Sequence, residues 1–343
     1  MPKRKPSANK ANGAQSKRAR VHFEAEERED GPSASALVPT TTSIPPIVLF
    51  EDGDLIIKGN DTDPKSYLVS SQVFRNACQS AFDRMFPDGI IYSPGDPPSM
   101  TLTADTESIG MALYIIHALN EKLPEKLSLG QLDRLERLCS QWNLVPRMKF
   151  FAAIWLSGFD LTKSNLYDLN RYTRLSRRFG LSSHFRAATK TISRRNSDTL
   201  FDLLGDNCAL DAAHLKMLRH QQANAKRIMH STMTSMHHRF LSGYACDWVG
   251  DGLPDMLLVL SHLDGARSIE DSAALLIRHL EHVMFSLPTG CSFHCGDTYE
   301  DEEEQDRKYA LQEIRGALEQ CRGLCLHCAV SKSPEAGVCV ENH

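Results

Sequence analysis

Along residues 47–70 the apolar positions fall in short runs bounded by turn formers. Ile47–Phe50 is followed by Glu-Asp-Gly, and the β-rich "DLIIKG" runs from Asp54 to Gly59. A polar loop, "NDTDPK", then leads into "SYLVS" at Ser66–Ser70. Two β-prone runs flanking a polar loop predict a hairpin. After Val69 the period changes. Ser70 or Ser71 is placed to cap a short helix with Val73, Phe74 and Ala77 on one face. Ser80 and Asp83 have capping-box spacing, which predicts a second helix with Phe82, Met85 and Phe86 turned inward. Phe74, Phe82, Met85 and Phe86 are therefore the candidate core of this unit.

"SMTLTAD", Ser99–Asp105, alternates as a third strand would, and Asp105 can cap a helix carrying Ile109, Ala112, Leu113, Ile116 and Leu119. Ser128 with Gln131 marks another capping box, opening a helix with Leu132, Leu135, Cys139 and Trp142 at helical spacing. Pro146 suits the first turn of the next helix, "MKFFAAIWLSGF". Beyond about residue 160 the pattern is helical: Leu161–Phe179, Phe185–Arg195, "DTLFDLL" capped by Ser197, and a long helix from His214. Two more are expected at Asp255–Leu263 and Ser268–Phe285, then an acidic loop, Glu300–Asp306, and a last helix from Lys308 to His327. No internal repeat has a fixed period. The fold class is α+β: a small sheet with surrounding short helices over 47–157, an all-helical region over 158–330, and a flexible tail at 331–343.

The order of these pieces resembles a known family. "GDLIIKG" followed by "YLVSSQVF" and Phe82-Asp-Arg-Met-Phe86 is similar to the BTB/POZ domain in the divergent form used by fungal proteins. "LTAD", "LYIIHALNEKLPEKLSLGQLDRLERLCSQWNLV" and "FFAAIWL" continue the likeness over roughly 47–157. The resemblance implies a protein–protein interaction domain with protein partners, a second copy of itself being one candidate. It also raises cullin-3 as a partner, bound through Phe86-Pro87-Asp88, although Phe86 is wanted in the core and Pro87 fixes the backbone beside it. Many such domains dimerise by exchanging an N-terminal helix; here a Pro/Thr linker holds that place.

Charge changes the picture at the N-terminus. Residues 1–20 carry seven basic side chains and no acid, and "EAEERED" then runs from Glu24 to Asp30. Such an arm buries too little apolar surface to offset its ordering entropy, so 1–46 is expected to be disordered. Arg4-Lys5, eleven residues, then Lys17, Arg18 and Arg20 have the spacing of a bipartite nuclear import signal, read by an import carrier. That places the chain in the nucleus, with a solubilising tail and a cytoplasmic protein as the alternative. No apolar h-region follows the basic residues, and no run approaches the roughly 18–20 apolar residues of a membrane span. The ten cysteines are accordingly expected as reduced thiols.

Catalytic and nucleotide-binding motifs are missing: there is no Gly-x-Gly-x-x-Gly, P-loop, Gly-x-Ser-x-Gly or His-Glu-x-x-His. No cofactor is implied. Cys291, His294 and Cys295, with Cys321, Cys325, His327 and Cys328, could supply four zinc ligands across the acidic run. Against this, Leu311, Ile314, Leu318, Cys321, Cys325 and Cys328 also form an apolar helix stripe. "RRNS", Arg194–Ser197, fits a basophilic kinase site or a helix cap. The functional expectation is a non-catalytic nuclear adaptor or scaffold. The alternatives are a cullin-3 substrate adaptor and a DNA-binding regulator; the arm offers charge without a reading helix, which argues against nucleic acid.

Overall fold

The computed structural model of the chain describes residues 45–61, 65–90, 96–195, 208–243, 268–282 and 299–330. The basic and acidic clusters of the arm, the Ser197 cap, the helix expected at 255–263, Cys291, His294, Cys295 and the C-terminal tail lie outside them.

A four-stranded mixed sheet has the order β1-β3-β2-β4. β2 (Leu55–Lys58) and β3 (Ser66–Val69) form the expected antiparallel hairpin, with Leu55 opposite Val69 and Lys58 opposite Ser66. The flanking strands β1 (Ile47–Val48) and β4 (Ser99–Thr101) run parallel to β3 and β2 respectively. Leu55, Ile57, Tyr67 and Val69 are buried on one face, as a period of two requires. Helix α3 (Thr106–Ile116) lies on that face through Gly110, where a Cβ would collide with Tyr67 Oη. Tyr67 Oη donates to Thr106 O at 3.2 Å, and burial pushes its pKa up to about 12.

The local caps behave largely as their spacing predicts. Ser70 caps α1 (Ser71–Ala77), Asp105 caps α3, and Ser128 with Gln131 makes a complete capping box on α4 (Leu129–Trp142). Pro146 sits in the first turn of α5 (Val145–Ser157). The expected Ser80–Asp83 box does not form. α2 (Gln79–Met85) starts one residue after α1 ends, with Cys78 between them making no side-chain cap bond. The tight junction puts Phe82 N on Cys78 O at 2.8 Å, and the Asp83 carboxylate goes to Arg75 at 3.5 Å. The third strand is shorter than the alternation suggested, because the chain leaves β2 after Leu102 N bonds Lys58 O at 2.9 Å.

One hydrophobic core runs from Leu49 through Ala188, so it does not close at residue 157. Tyr172 and Leu175 of α6 (Leu166–Arg178) and Ala188 of α7 (Ser182–Arg195) enter it beside Trp142 and Leu156. Asp133 of α4, 7% exposed, accepts from Arg174 of α6 at 2.5 Å and from Arg137 at 3.1 Å. α6 begins five residues later than the apolar pattern predicts. Asp160 ties up Thr162 N at 3.0 Å in a turn, and Asn165 becomes the cap by accepting from Asp168 N at 2.8 Å.

The remaining described elements are helices. α8 (Ala212–Gly243), α9 (Ile269–His282) and α10 (Tyr299–Gln320) share a second core. Along α8, Leu215, Leu218, Gln222, Ala225, Met229, Thr232 and Met236 are buried at alternating spacings of three and four, a coiled-coil seam. Two expectations fail in α10. The acidic run Glu300–Asp306 is helical, not a loop, and within it Lys308 pairs with Glu304 one turn away at 2.7 Å. The final helix is also not continuous to His327. It stops at Gln320, and α11 (Leu326–Val330) starts after a break at 321–325. Gly323 makes that break with φ +78°; a Cβ there would lie 2.5 Å from Arg186 O and 2.7 Å from Lys190 N of α7.

Candidate functional site

The paired helices α1 and α2 are positioned by a carboxylate from the hairpin. Asp54 Oδ1 accepts from Ser71 N at 2.6 Å and Oδ2 accepts from Ser71 Oγ at 2.7 Å. Phe74 and Phe82 are buried, with ring centroids 6.2 Å apart, and Trp142 meets Phe74 edge-on at 5.1 Å. Phe86 packs on Phe82 at 5.1 Å, and both Phe86 and Met85 are partly buried against the core. Phe74, Phe82 and Phe86 therefore meet in one aromatic cluster, and Met85 packs against the same core. Arg84 Nη2 donates to Gln141 O at 2.7 Å and joins α2 to the end of α4.

Above the α1–α2 junction is an open depression of about 470 Å³ lined by Asn76, Cys78, Gln79, Ser80, Asp83 and Asn143. Ala77 and Trp142 complete its mostly polar walls, and burial pushes the Cys78 thiol up to about 12, so it stays protonated near neutrality. Elsewhere, Ser157 Oγ lies 3.1 Å from His184 Nε2. The same hydroxyl donates to Ala153 O at 2.8 Å, and His184 Nδ1 faces Ser183 Oγ at 3.3 Å where an orienting carboxylate would be needed. Burial lowers the His184 pKa. The pair is a helix-surface contact without the geometry of an activated nucleophile.

α5 offers a different kind of site. Its inner stripe, Met148, Ala152, Trp155 and Leu156, is buried. A second apolar stripe faces out: Phe150 is 68% exposed and Ile154 is 51% exposed, one turn apart. Phe150 meets Phe151 edge-on at 5.5 Å, and Phe151 meets Trp155 at 6.0 Å, so the rings connect the surface to the core. Trp155 is held by its Nε1 donating to Pro124 O at 2.8 Å. Arg147 and Lys149 are exposed beside the stripe. A helix apolar on both faces leaves one of them to solvent unless something covers it. Aromatic anchors backed by packed neighbours are the side chains that dominate protein interfaces.

The zinc candidates are not assembled by the described residues. Cys321 is fully buried in the second core, where burial raises its pKa. Cys325 and Cys328 lie beyond the Gly323 break, so the six-residue stripe expected on one helix is interrupted. Among the described residues no three His, Cys, Asp or Glu side chains converge as metal ligands. Arg194 of the kinase-type motif is a structural contact: its Nη2 donates to Leu318 O and Glu319 at 3.1 Å each, and Nη1 lies 3.7 Å from Glu270. Arg195 is also engaged, donating to Ser164 O. The import residues Arg4, Lys5, Lys17, Arg18 and Arg20 fall outside the described residues. No described helix is long and apolar enough to cross a membrane.

No family model, curated protein or solved structure matches the chain. Its class rests on its own architecture: an α+β protein with a small four-stranded sheet and a mainly helical remainder.

Proposed function

We propose that the chain is a non-catalytic protein–protein interaction module of BTB/POZ-like build, acting as a nuclear adaptor or scaffold. The outward stripe of α5 is the observation that carries this reading: Phe150 and Ile154 present apolar surface on a helix whose other face is locked in the core. The order of elements is in keeping with the family resemblance, since β4 returns parallel to the first hairpin strand after two short helices. An import carrier reading the two basic clusters of the arm delivers the protein to the nucleus. The cullin-3 role has less support, because Phe86 is packed on Phe82 at 5.1 Å and is not a projecting anchor.

The test is a double substitution, Phe150→Glu with Ile154→Glu, in the full chain. Both chains are recovered from nuclear extract at equal expression and their retained proteins are quantified by mass spectrometry. The variant is expected to lose its stoichiometric partners at least about tenfold, while its melting curve stays close to that of the parent, as exposed positions allow. An unchanged partner set with an intact fold overturns the proposal.

A further inference from the structure

The uncovered side of α5 is basic as well as apolar. Between Glu136 and Asp160 the chain has no Asp or Glu, while Arg147 and Lys149 both stand exposed at the start of α5. The two bounding carboxylates are engaged: Glu136 accepts from Ser140 Oγ at 2.6 Å, and Asp160 holds Thr162 and Lys163. α7, whose His184 meets Ser157 of α5, has no acid from Ser182 to Arg195, and α6 ends on Arg177 and Arg178. Among the described residues neither Arg147 nor Lys149 has a carboxylate within ion-pair distance.

The two cations lie on opposite flanks of the apolar stripe. A Cβ at Gly180, just past the end of α6, would lie 3.9 Å from Lys149 Nζ, so Lys149 reaches toward α6. Arg147 lies toward the α1–α2 junction, where burial raises the Cys78 pKa and the Arg147 charge opposes it. At 3.6 residues per turn, Phe150 and Ile154 fall between the two flanks. The positive end of the α5 dipole is at the same end of the helix, and the first turn holds no acid to offset it.

This charge pattern selects among occupants. A second copy seated stripe on stripe would put two basic patches into one interface with no acid to meet them. A lipid surface would meet a helix whose inner face is locked in the core and which offers two large apolar side chains, whereas interfacial helices bury a whole apolar face. An amphipathic helix with carboxylates on both sides of its apolar stripe matches the surface in both respects. We propose that α5 docks an acidic amphipathic helix of a partner protein, with apolar side chains on Phe150 and Ile154 and carboxylates on Arg147 and Lys149. This rests on the reading of α5 as the interaction surface and adds the chemistry of what it binds.

The probe is a labelled synthetic helix of the length of α5, with leucines at three- and four-residue spacing and glutamates on both flanks. Its counterpart carries lysines in place of the glutamates. Fluorescence anisotropy with the full chain is expected to show the acidic peptide binding at least about tenfold more tightly than the lysine peptide, the gap narrowing as salt rises. Arg147→Glu with Lys149→Glu should reverse that preference, and Phe150→Ala with Ile154→Ala should weaken the acidic peptide about tenfold, each with a melting curve close to that of the parent. Equal binding of the two peptides, or no binding of the acidic one by folded protein, overturns the proposal. So does a chain that sediments with vesicles of phosphatidylserine and phosphatidylcholine while ignoring the peptide, or a dimer that Phe150→Glu dissociates. Partners from nuclear extract that are lost on Phe150→Glu with Ile154→Glu, yet kept on Arg147→Glu with Lys149→Glu, would leave α5 as the interaction surface and remove the acidic helix as its occupant.

Discussion

Removing the carboxylate of Asp133 tests whether the sheet-bearing part and the following helices melt as one unit. Asp133 is 7% exposed on α4, and Arg174 reaches it from α6 at 2.5 Å with 30% of its side chain exposed. Arg137 also reaches Asp133, at 3.1 Å, but is 68% exposed and is screened by solvent. In Asp133→Ala, Arg174 keeps its charge in a mostly covered position without its partner. Breaking a fully buried pair this way costs about 3–5 kcal/mol; the partial exposure of Arg174 reduces that to about 2–3 kcal/mol. Arg174→Met costs less, about 1–2 kcal/mol, because Asp133 retains Arg137. The double variant should then recover part of the loss, with a coupling of about 1–2 kcal/mol. Thermal unfolding of the four chains measures this cycle, and Asp133→Ala is expected to lower the transition of the first core by roughly 5–10 °C. A coupling near zero, or a melt in which the sheet core and α6–α7 separate into two transitions, would refute the continuous core from Leu49 to Ala188.

Other consequences can be checked one residue at a time. Gly323→Ala should cost about 2–4 kcal/mol in chemical denaturation, from positive φ and collision with α7 backbone, whereas Gly316→Ala, with nothing within 4 Å, should gain about 0.5–1 kcal/mol. His117 ends α3, where the helix dipole would favour its charged form, yet burial wins and lowers its pKa below 6.5. Its unfolded form therefore takes up a proton first, so its contribution is complete above 6.5 and falls away as pH drops towards the folded value. His117→Gln should flatten the stability slope across that window, less than completely because His184 and His214 are lowered too; an unchanged slope refutes the assignment. Alanine at Arg4, Lys5, Lys17, Arg18 and Arg20 should move a fluorescent fusion out of the nucleus, and retained enrichment would remove the import signal from consideration.

The parts of this protein legible in its sequence are those decided within three or four residues. Ser70, Asp105 and the Ser128–Gln131 box each satisfy backbone groups in their own first turn, so spacing predicted Asp105 and the box outright and narrowed the first cap to Ser70 or Ser71. The hairpin and the inward Phe74 and Phe82 follow in the same way from side-chain period. Tertiary structure decided what depends on residues far apart in the chain. Gly323 breaks a well-patterned helix because α7 passes too close for a Cβ, and nothing between residues 308 and 327 announces α7. Arg174, Arg177 and Arg194 are drawn into contacts with α4, Ala209 O and α10, partners between 32 and 124 residues away in the chain. The α5 site was half visible: "MKFFAAIWLSGF" carries two apolar stripes, and only packing shows that Met148 and Trp155 are covered while Phe150 and Ile154 are not. Local hydrogen bonding is encoded where it occurs; the choice between two equally apolar faces is made by the rest of the molecule.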